Sequence, residues 1–516
     1  MPRPHSSVSA GPGPVPGRRW STAVALGLAM CLGLALRLHG LSAVPWDFHP
    51  TRQLYDALMA RHFWTSLGGV PAPGTAAAVA ATRPGIIEPP LVQGAAALLW
   101  RLQGHPDLMA IRLALAVIWV LAAVPMAAAA SRLSSRLGGL AATVVWLFAP
   151  IGVLASRSFQ PDSLMMSLLP VTLYLLLVRA DRDTSRTHLA AVSAAAVTIF
   201  VKSTAGFVVV PLMVVLRSGR EAPWWRDWRL AVDVGVAVLP AALWLVLGGP
   251  LGITANDSSD RFHPRLLTTA GFWRDWLTQA SAAVGITGLV VIGVGLVLAR
   301  GRLRAVLAAA LGGYAATGLV LSYHYATHSY YHLPLLLALA LGFASVATWV
   351  GERVRERRLV PVLTAGLLVV AWCVESVFLP SGSVLRHSAP TWDARIAAAQ
   401  EAGARLGHST DVVFVSDDYG GSAEWWGGLA GVAWPNTGDL YTERLRGAPV
   451  LTVPERLKSL STGQRLSWVL VLDHDPAYEE PDLRTFLQQS GWQRVAGTGW
   501  QAYRIPASFT ATGTGG

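Results

Sequence analysis

About eleven long apolar runs, separated by short arginine-bearing loops, fill the first three-quarters of this 516-residue chain and leave few folds open to it. They lie near 20–40, 108–130, 138–156, 161–180, 188–203, 205–217, 230–250, 281–299, 303–322, 330–350 and 359–379. Most reach the roughly 20 residues that a helix needs to cross a hydrocarbon core. The run at 205–217 is shorter and is expected to pair with its predecessor as a tight hairpin. With 53% hydrophobic and only 14% charged residues, a soluble enzyme of this size is excluded. The expectation is a polytopic α-helical membrane protein.

The first 19 residues, rich in Pro, Gly and Ser, are expected to be a disordered cytoplasmic tail. The run after them lacks a convincing small-residue cleavage site and is taken as a retained first span rather than a signal peptide. Cys31 and Cys373 both fall within spans, so no stabilising disulfide is expected.

One segment decides the sidedness of the rest. Pro90 to Leu102 is too short to span and opens with prolines, which suits a helix lying flat at the interface. If it lies flat, the clusters Arg18/Arg19, Arg132/Arg136, Arg179/Arg182/Arg186 and Arg217/Arg220/Arg226/Arg229 share one side. Arg300/Arg302/Arg304 and Arg353/Arg355/Arg357/Arg358 join them, and the positive-inside rule makes that side the cytoplasm. If it spans, the first cluster opposes all the others. The basic excess therefore belongs to loops facing an anionic leaflet, and nucleic acid is not an expected partner. Trp224-Trp225 and Trp273/Trp276 at span ends fit an aromatic belt.

The same assignment collects the chemically suggestive residues on the outer face. The first outer loop, 41–107, carries Trp46-Asp47-Phe48-His49-Pro50-Thr51-Arg52-Gln53-Leu54-Tyr55-Asp56 and then Glu88-Pro89-Pro90-Leu91. Charge at the mouth of a membrane helix is costly unless it has a task. Joining this loop are Phe159-Gln160-Pro161-Asp162, Lys202, His263-Pro264-Arg265 and the stretch from Tyr323 to His332. Of 41 basic residues only Lys202 and Lys458 are lysines, so a lysine inside an apolar region stands out. Each residue also has a plainer role open to it. Asp47, Glu88 and Asp162 could cap turns or helices, and Lys202 could snorkel to the interface. His324, His328 and His332 recur every four residues, which invites a metal, although the flanking tyrosines and proline favour a loop.

After Pro380 the composition changes, and 381–516 reads as a small extracytoplasmic α/β domain. Asp411 to Val415 and Trp468 to Leu472 are expected as buried strands followed by acids, Asp417/Asp418 and Asp473/Asp475. Helices are expected at Pro454–Ser461 and Asp482–Ser490, with a last strand near Trp500–Ile505.

Over residues 20–380 the chain resembles the polyprenyl-phosphate-sugar-dependent C-type glycosyltransferases, which include protein O-mannosyltransferases and aminoarabinose transferases. The resemblance is carried by the carboxylate-bearing first loop, the Pro89-Pro90-Leu91 helix start and the Ser156-Arg157…Pro161-Asp162 turn. Lys202 before a short apolar run, and Tyr330-Tyr331-His332-Leu333-Pro334, complete it. Many members carry an Asp-Glu pair after His-Pro, where this chain has Thr51 and Arg52. The resemblance implies transfer of a sugar from a polyprenyl-phosphate donor to a glycan, lipid or protein acceptor, with inversion. Such chemistry needs a general base for the acceptor hydroxyl and a cationic partner for the departing phosphate. Asp47 is the expected base, with Glu88 and Asp162 as further catalytic candidates. His49, Arg52, Lys202, Arg265, His328, Tyr330 and Tyr331 are the expected donor-phosphate or substrate contacts. The flat helix at 90–102 is expected to line the lipid entry. A divalent cation stays open as a cofactor. The rival classes are a lipid-linked-sugar transporter and a glycolipid-binding protein that has lost catalysis.

Overall fold

The computed structural model describes residues 17–41, 45–217, 226–253, 262–386, 391–472 and 480–510, with backbone only for 17–22, 386, 391, 481, 508 and 510. Trp224-Trp225, Arg220, Asp473, Asp475 and the tail up to residue 16 lie outside the described residues.

Each of the eleven apolar runs is helical. Among the described residues six helices are long and apolar enough to cross a membrane, and up to eight if each bent pair counts as one span. The run at 138–156 is broken by a 60° bend between Arg136–Phe148 and Pro150–Ser156, where Pro150 cannot continue the preceding helix. The run at 281–299 is the second arm of a pair bent by 90° at Gly285, preceded by Ala270–Val284. Ala23–Leu38, Ser185–Val201 and Ser203–Arg217 are shorter apolar helices, so the count of eleven spans holds as helices but not in full as crossings by length.

Burial separates inner from outer helices. Leu335–Arg355 is buried continuously from Leu335 to Val346 and packs against Arg136–Phe148 and Ile286–Leu298. A helix apolar on every side belongs at the centre of a bundle. Its contact with Ile286–Leu298 runs through Gly295 and Gly342, where a Cβ on Gly295 would stand 2.5 Å from the Gly342 Cα. Small residues at a crossing let two membrane helices approach at backbone distance. Leu359–Phe378, by contrast, leaves Leu363, Leu367 and Val370 exposed, the surface of a helix facing lipid.

Besides the short helix Ala76–Ala81, the first outer loop contains two longer ones, Pro50–Ser66 and Leu91–Gln103, packed on each other through Ala57, Ala60, Ala96 and Trp100. The second is the expected short helix, opened by Pro90 and closed by Gly104 in the left-handed region.

The carboxy-terminal domain holds strands β1 (Val412–Val415), β2 (Gly431–Ala433), β3 (Trp468–Leu472), β4 (Arg494–Gly497) and β5 (Trp500–Arg504) in the order β2-β1-β3-β5-β4. β1 lies parallel to β2 and β3, whereas β5 runs antiparallel to both β3 and β4. Alternate residues feed two cores, Phe414 and Leu470 on one face and Val413 and Val469 on the other, as expected of a sheet covered by helices on both sides. This domain docks on the first loop. Trp46 stacks on Trp426 at 5.3 Å, and Arg61 lies over Trp425 while donating to the Glu424 carbonyl at 3.0 Å.

Candidate active site

The opening turn of the first loop is knotted in place by Gln53. Its amide donates to the Pro45 and Phe48 carbonyls at 2.9 and 2.6 Å and accepts from the Phe159 N–H at 2.8 Å. The Pro50–Ser66 helix then begins with proline at its first position, preceded by His49 at φ 47°. A non-glycine residue held left-handed marks a position that its surroundings over-determine.

Asp47 stands apart from the cavities. It is buried, and one of its oxygens receives Arg112 at 2.8 Å and Arg157 at 2.9 Å. Arg112 also donates to the carbonyls of Leu41 and Arg157, and Arg157 to that of His39. Asp47 thus ties the loop to the Leu108–Leu121 helix and to the turn after Ser156. Its carboxylate is engaged by these two guanidiniums and lines neither the recess nor the cavity described below.

Three other acids meet two cations a few residues further on. Arg52 pairs with Glu88 and, at 3.3 Å, with Asp56. Gln93 holds the other Asp56 oxygen at 2.6 Å. Lys202 grips both oxygens of Asp162 at 2.7 and 2.6 Å and stands 3.9 Å from Glu88. Its ammonium sits 5.3 Å from the ring centres of both Tyr330 and Tyr331. Asp162 and Asp56 are fully enclosed, whereas Glu88 keeps part of its carboxylate accessible.

Two openings lie here: Glu88 lines the first, and its ion-pair partner Arg52 lines the second. On one side, a narrow recess is lined by Glu88, Lys202, Ser203 and Thr204 below an apolar wall of Phe200, Trp244 and Leu245. The short Leu91–Gln103 helix does not line this recess; only Ile87 to Pro89 just before it do. On the other side, a cavity of about 490 Å³ is enclosed by His49, Arg52, Tyr55, His328 and Tyr330 and closed by the carboxy-terminal domain. His49 is fixed there by a 3.2 Å hydrogen bond with Ser329 and by the edge of Tyr330.

Of the residues expected from sequence, Glu88, Asp162, Lys202, Arg52, His49, His328, Tyr330 and Tyr331 come together. Asp47 does not, and Arg265 is exposed and lines neither opening. His332 is a core residue, bonded to the Tyr314 hydroxyl at 2.7 Å and to the Tyr325 carbonyl at 2.9 Å. Among the described residues no three of His, Cys, Asp and Glu are grouped to hold a metal ion, because Arg52 and Lys202 sit between the acids. Sequence reading passed over Asp56 and Gln93, for which the spacing Arg52-x-x-x-Asp56 on one helix face was the available signal.

Burial outweighs the attraction of Arg52 and pushes the Asp56 carboxyl up to about 7. In an unfolded chain an aspartate titrates near about 4. The folded state therefore holds the extra proton between these values, and stability falls as pH rises through that window. The thermal midpoint of the wild type is expected to drop more between about pH 5 and about pH 8 than that of Asp56→Asn. Parallel curves for the two proteins would remove Asp56 as a titrating group.

Over residues 87–246 the chain matches the family model described as dolichyl-phosphate-mannose-protein mannosyltransferase, a span that includes Glu88, Asp162 and Lys202. No curated protein matches the chain in sequence. ArnT from Cupriavidus metallidurans in the apo state is similar over 96% of this chain and 99% of its own, with a TM-score of 0.57 at 15% identity. Bound to undecaprenyl phosphate, it is similar over 96% of this chain and 100% of its own, with a TM-score of 0.55 at 15% identity. The archaeal oligosaccharyltransferase AglB from Archaeoglobus fulgidus, in complex with an inhibitory peptide and a dolichol-phosphate, gives a TM-score of 0.55 at 14% identity, covering 96% of this chain and 77% of that one. The resemblance to the C-type glycosyltransferases read from the motifs is borne out, and the fold is theirs.

Proposed function

We propose that this protein transfers a sugar from a polyprenyl-phosphate donor to an extracytoplasmic acceptor at the cell membrane, with inversion at the anomeric carbon. The observation that carries this reading is Glu88 in a recess with a lysine and an apolar wall, joined through its ion pair with Arg52 to a separate polar cavity. The recess suits a phosphate with a prenyl tail. Lys202, supported by Asp162 and flanked by Tyr330 and Tyr331, meets the phosphate, and Ser203 and Thr204 add hydroxyls at a helix start. Similarity in fold to a protein solved with undecaprenyl phosphate supports the donor class.

In this reading Glu88 takes the base role. It accepts the acceptor hydroxyl's proton as that oxygen bonds to the anomeric carbon. The bond from that carbon to the phosphate oxygen breaks on the opposite face, and polyprenyl phosphate leaves with its charge met by Lys202. Arg52 orients Glu88, Asp162 positions Lys202, and Asp47 holds the loop. The arginine clusters on the opposite side of the bilayer support a site outside the cytoplasm.

The test is sugar release from a panel of radiolabelled polyprenyl-phosphate hexoses and pentoses by purified protein in lipid. Glu88→Gln is expected to lower kcat by about 10²–10⁴-fold while retaining donor binding. Full activity in that variant would move the base elsewhere. Silence of the wild type across the panel would favour the transporter or binding-protein readings.

A further inference from the structure

We propose that the acceptor is an uncharged, hydroxyl-rich glycan, and that the carboxy-terminal domain selects it through Tyr419. This rests on the transferase reading above and assigns the occupant of its larger cavity. The wall opposite Arg52 and Tyr55 is built by Asp417, Tyr419 and Asn436, all beyond β1. The acceptor space is therefore complete only when this domain is docked, with Thr51 donating to the Asp417 carbonyl at 3.3 Å across the junction.

The charge of the cavity argues against an anionic acceptor. Arg52 is already engaged by Glu88 and Asp56, and the Asp417 carboxylate faces Arg395 at 3.3 Å. Burial, with His328 and Lys202 nearby, takes His49 down to about 3, and burial takes His328 to about 4. Both imidazoles are uncharged at neutral pH. A phosphorylated or uronic-acid headgroup would have to compete with existing ion pairs for Arg52, the one arginine among the described lining residues, whereas a neutral polyol meets hydroxyls, an amide and two neutral rings.

The shape favours sugar rings. Tyr55, Tyr330 and Tyr419 each offer an apolar face with a polar tip, the combination that suits the flat C–H face and the rim hydroxyls of a pyranose. About 490 Å³ is within the range of a site for a compact ligand. Tyr419 is also held on purpose: it sits at φ 57°, one of two left-handed non-glycine residues in this cavity along with His49. The turn beneath it is fixed by Asp418, which accepts from Ser416 at 2.7 Å and from the Ser422 N–H at 2.9 Å. Asn436 donates to the Tyr419 hydroxyl from the other side. A bulky residue kept left-handed on a rigid turn and aimed into a cavity is where backbone strain serves a site.

The full chain in lipid nanodiscs, applied to an array of neutral, uronic-acid and phosphorylated oligosaccharides together with peptides, tests this. Neutral oligosaccharides are expected to bind, with a loss of about 10-fold or more in Tyr419→Ala and retention in Tyr419→Phe. Tyr419→Leu replaces the alanine variant if the latter melts early, since it keeps bulk without the aromatic face. Binding confined to anionic glycans or to peptides, no binding at all, or binding undiminished in both the alanine and leucine variants overturns the assignment. Release of labelled sugar by the wild type with water as acceptor is measured in parallel. Release without neutral-glycan binding sinks the acceptor class alone; glycan binding with no release from any donor sinks the transferase alone.

Discussion

Asp47→Ala is expected to destabilise the fold by about 3–5 kcal/mol, the cost of removing one partner from a buried ion pair. The variant leaves Arg112 and Arg157 enclosed with no carboxylate between them, and each also donates to backbone carbonyls. Both guanidiniums are buried. The loss should appear as a lower thermal midpoint and a poor yield of monodisperse protein. Asp47→Asn should share much of it, because an amide preserves shape but not charge. Normal melting with abolished sugar release would reverse the assignment and return Asp47 to the role of base.

The contrast between Asp47 and Glu88 shows what a sequence can and cannot carry. Each of the eleven apolar runs read from hydropathy is helical, because the constraint acts on each segment separately, although the arm Ala270–Val284 is not among them. Hydropathy did not show the bend at Gly285 or how deep Leu335–Arg355 lies, since these depend on what packs beside them. The short strands β2 and β4 were missed for the same reason: three- and four-residue edges gain their identity from β1 and β5. Within the site, Lys202 was legible because one lysine among arginines is improbable without a task, while exposed Lys458 carries no such weight. Asp47 and Glu88 look alike in sequence, each an acid in the same loop. Their difference lies in partners 65 and 110 residues away, Arg112 and Arg157, which no local pattern announces. Thr51 and Arg52, standing where relatives carry acids, look like a loss of chemistry until Arg52 is seen gripping Glu88 and Asp56. The contribution of Tyr419 required knowing where the second domain docks.

Lys202→Met is expected to lower sugar release by about 10²–10³-fold, the usual effect of deleting one group aimed at charge that develops in a transition state. The difficulty is that Lys202 is also half of a buried pair, so the single variant leaves Asp162 uncompensated. Lost activity could then reflect a disturbed helix start rather than a missing cation. The double variant Lys202→Met/Asp162→Asn separates the two. It removes both charges together, which is often neutral for stability even where each single change is costly. Its thermal midpoint should recover most of what the single variant loses. Its turnover should not recover, because the departing phosphate still finds no ammonium between Tyr330 and Tyr331. Donor affinity should follow turnover rather than stability, and bound polyprenyl phosphate should raise the thermal midpoint of the wild type but not of the double variant. Restored turnover in the double variant would reduce Lys202 to a structural counter-ion and leave Arg52 as the cation that meets the phosphate.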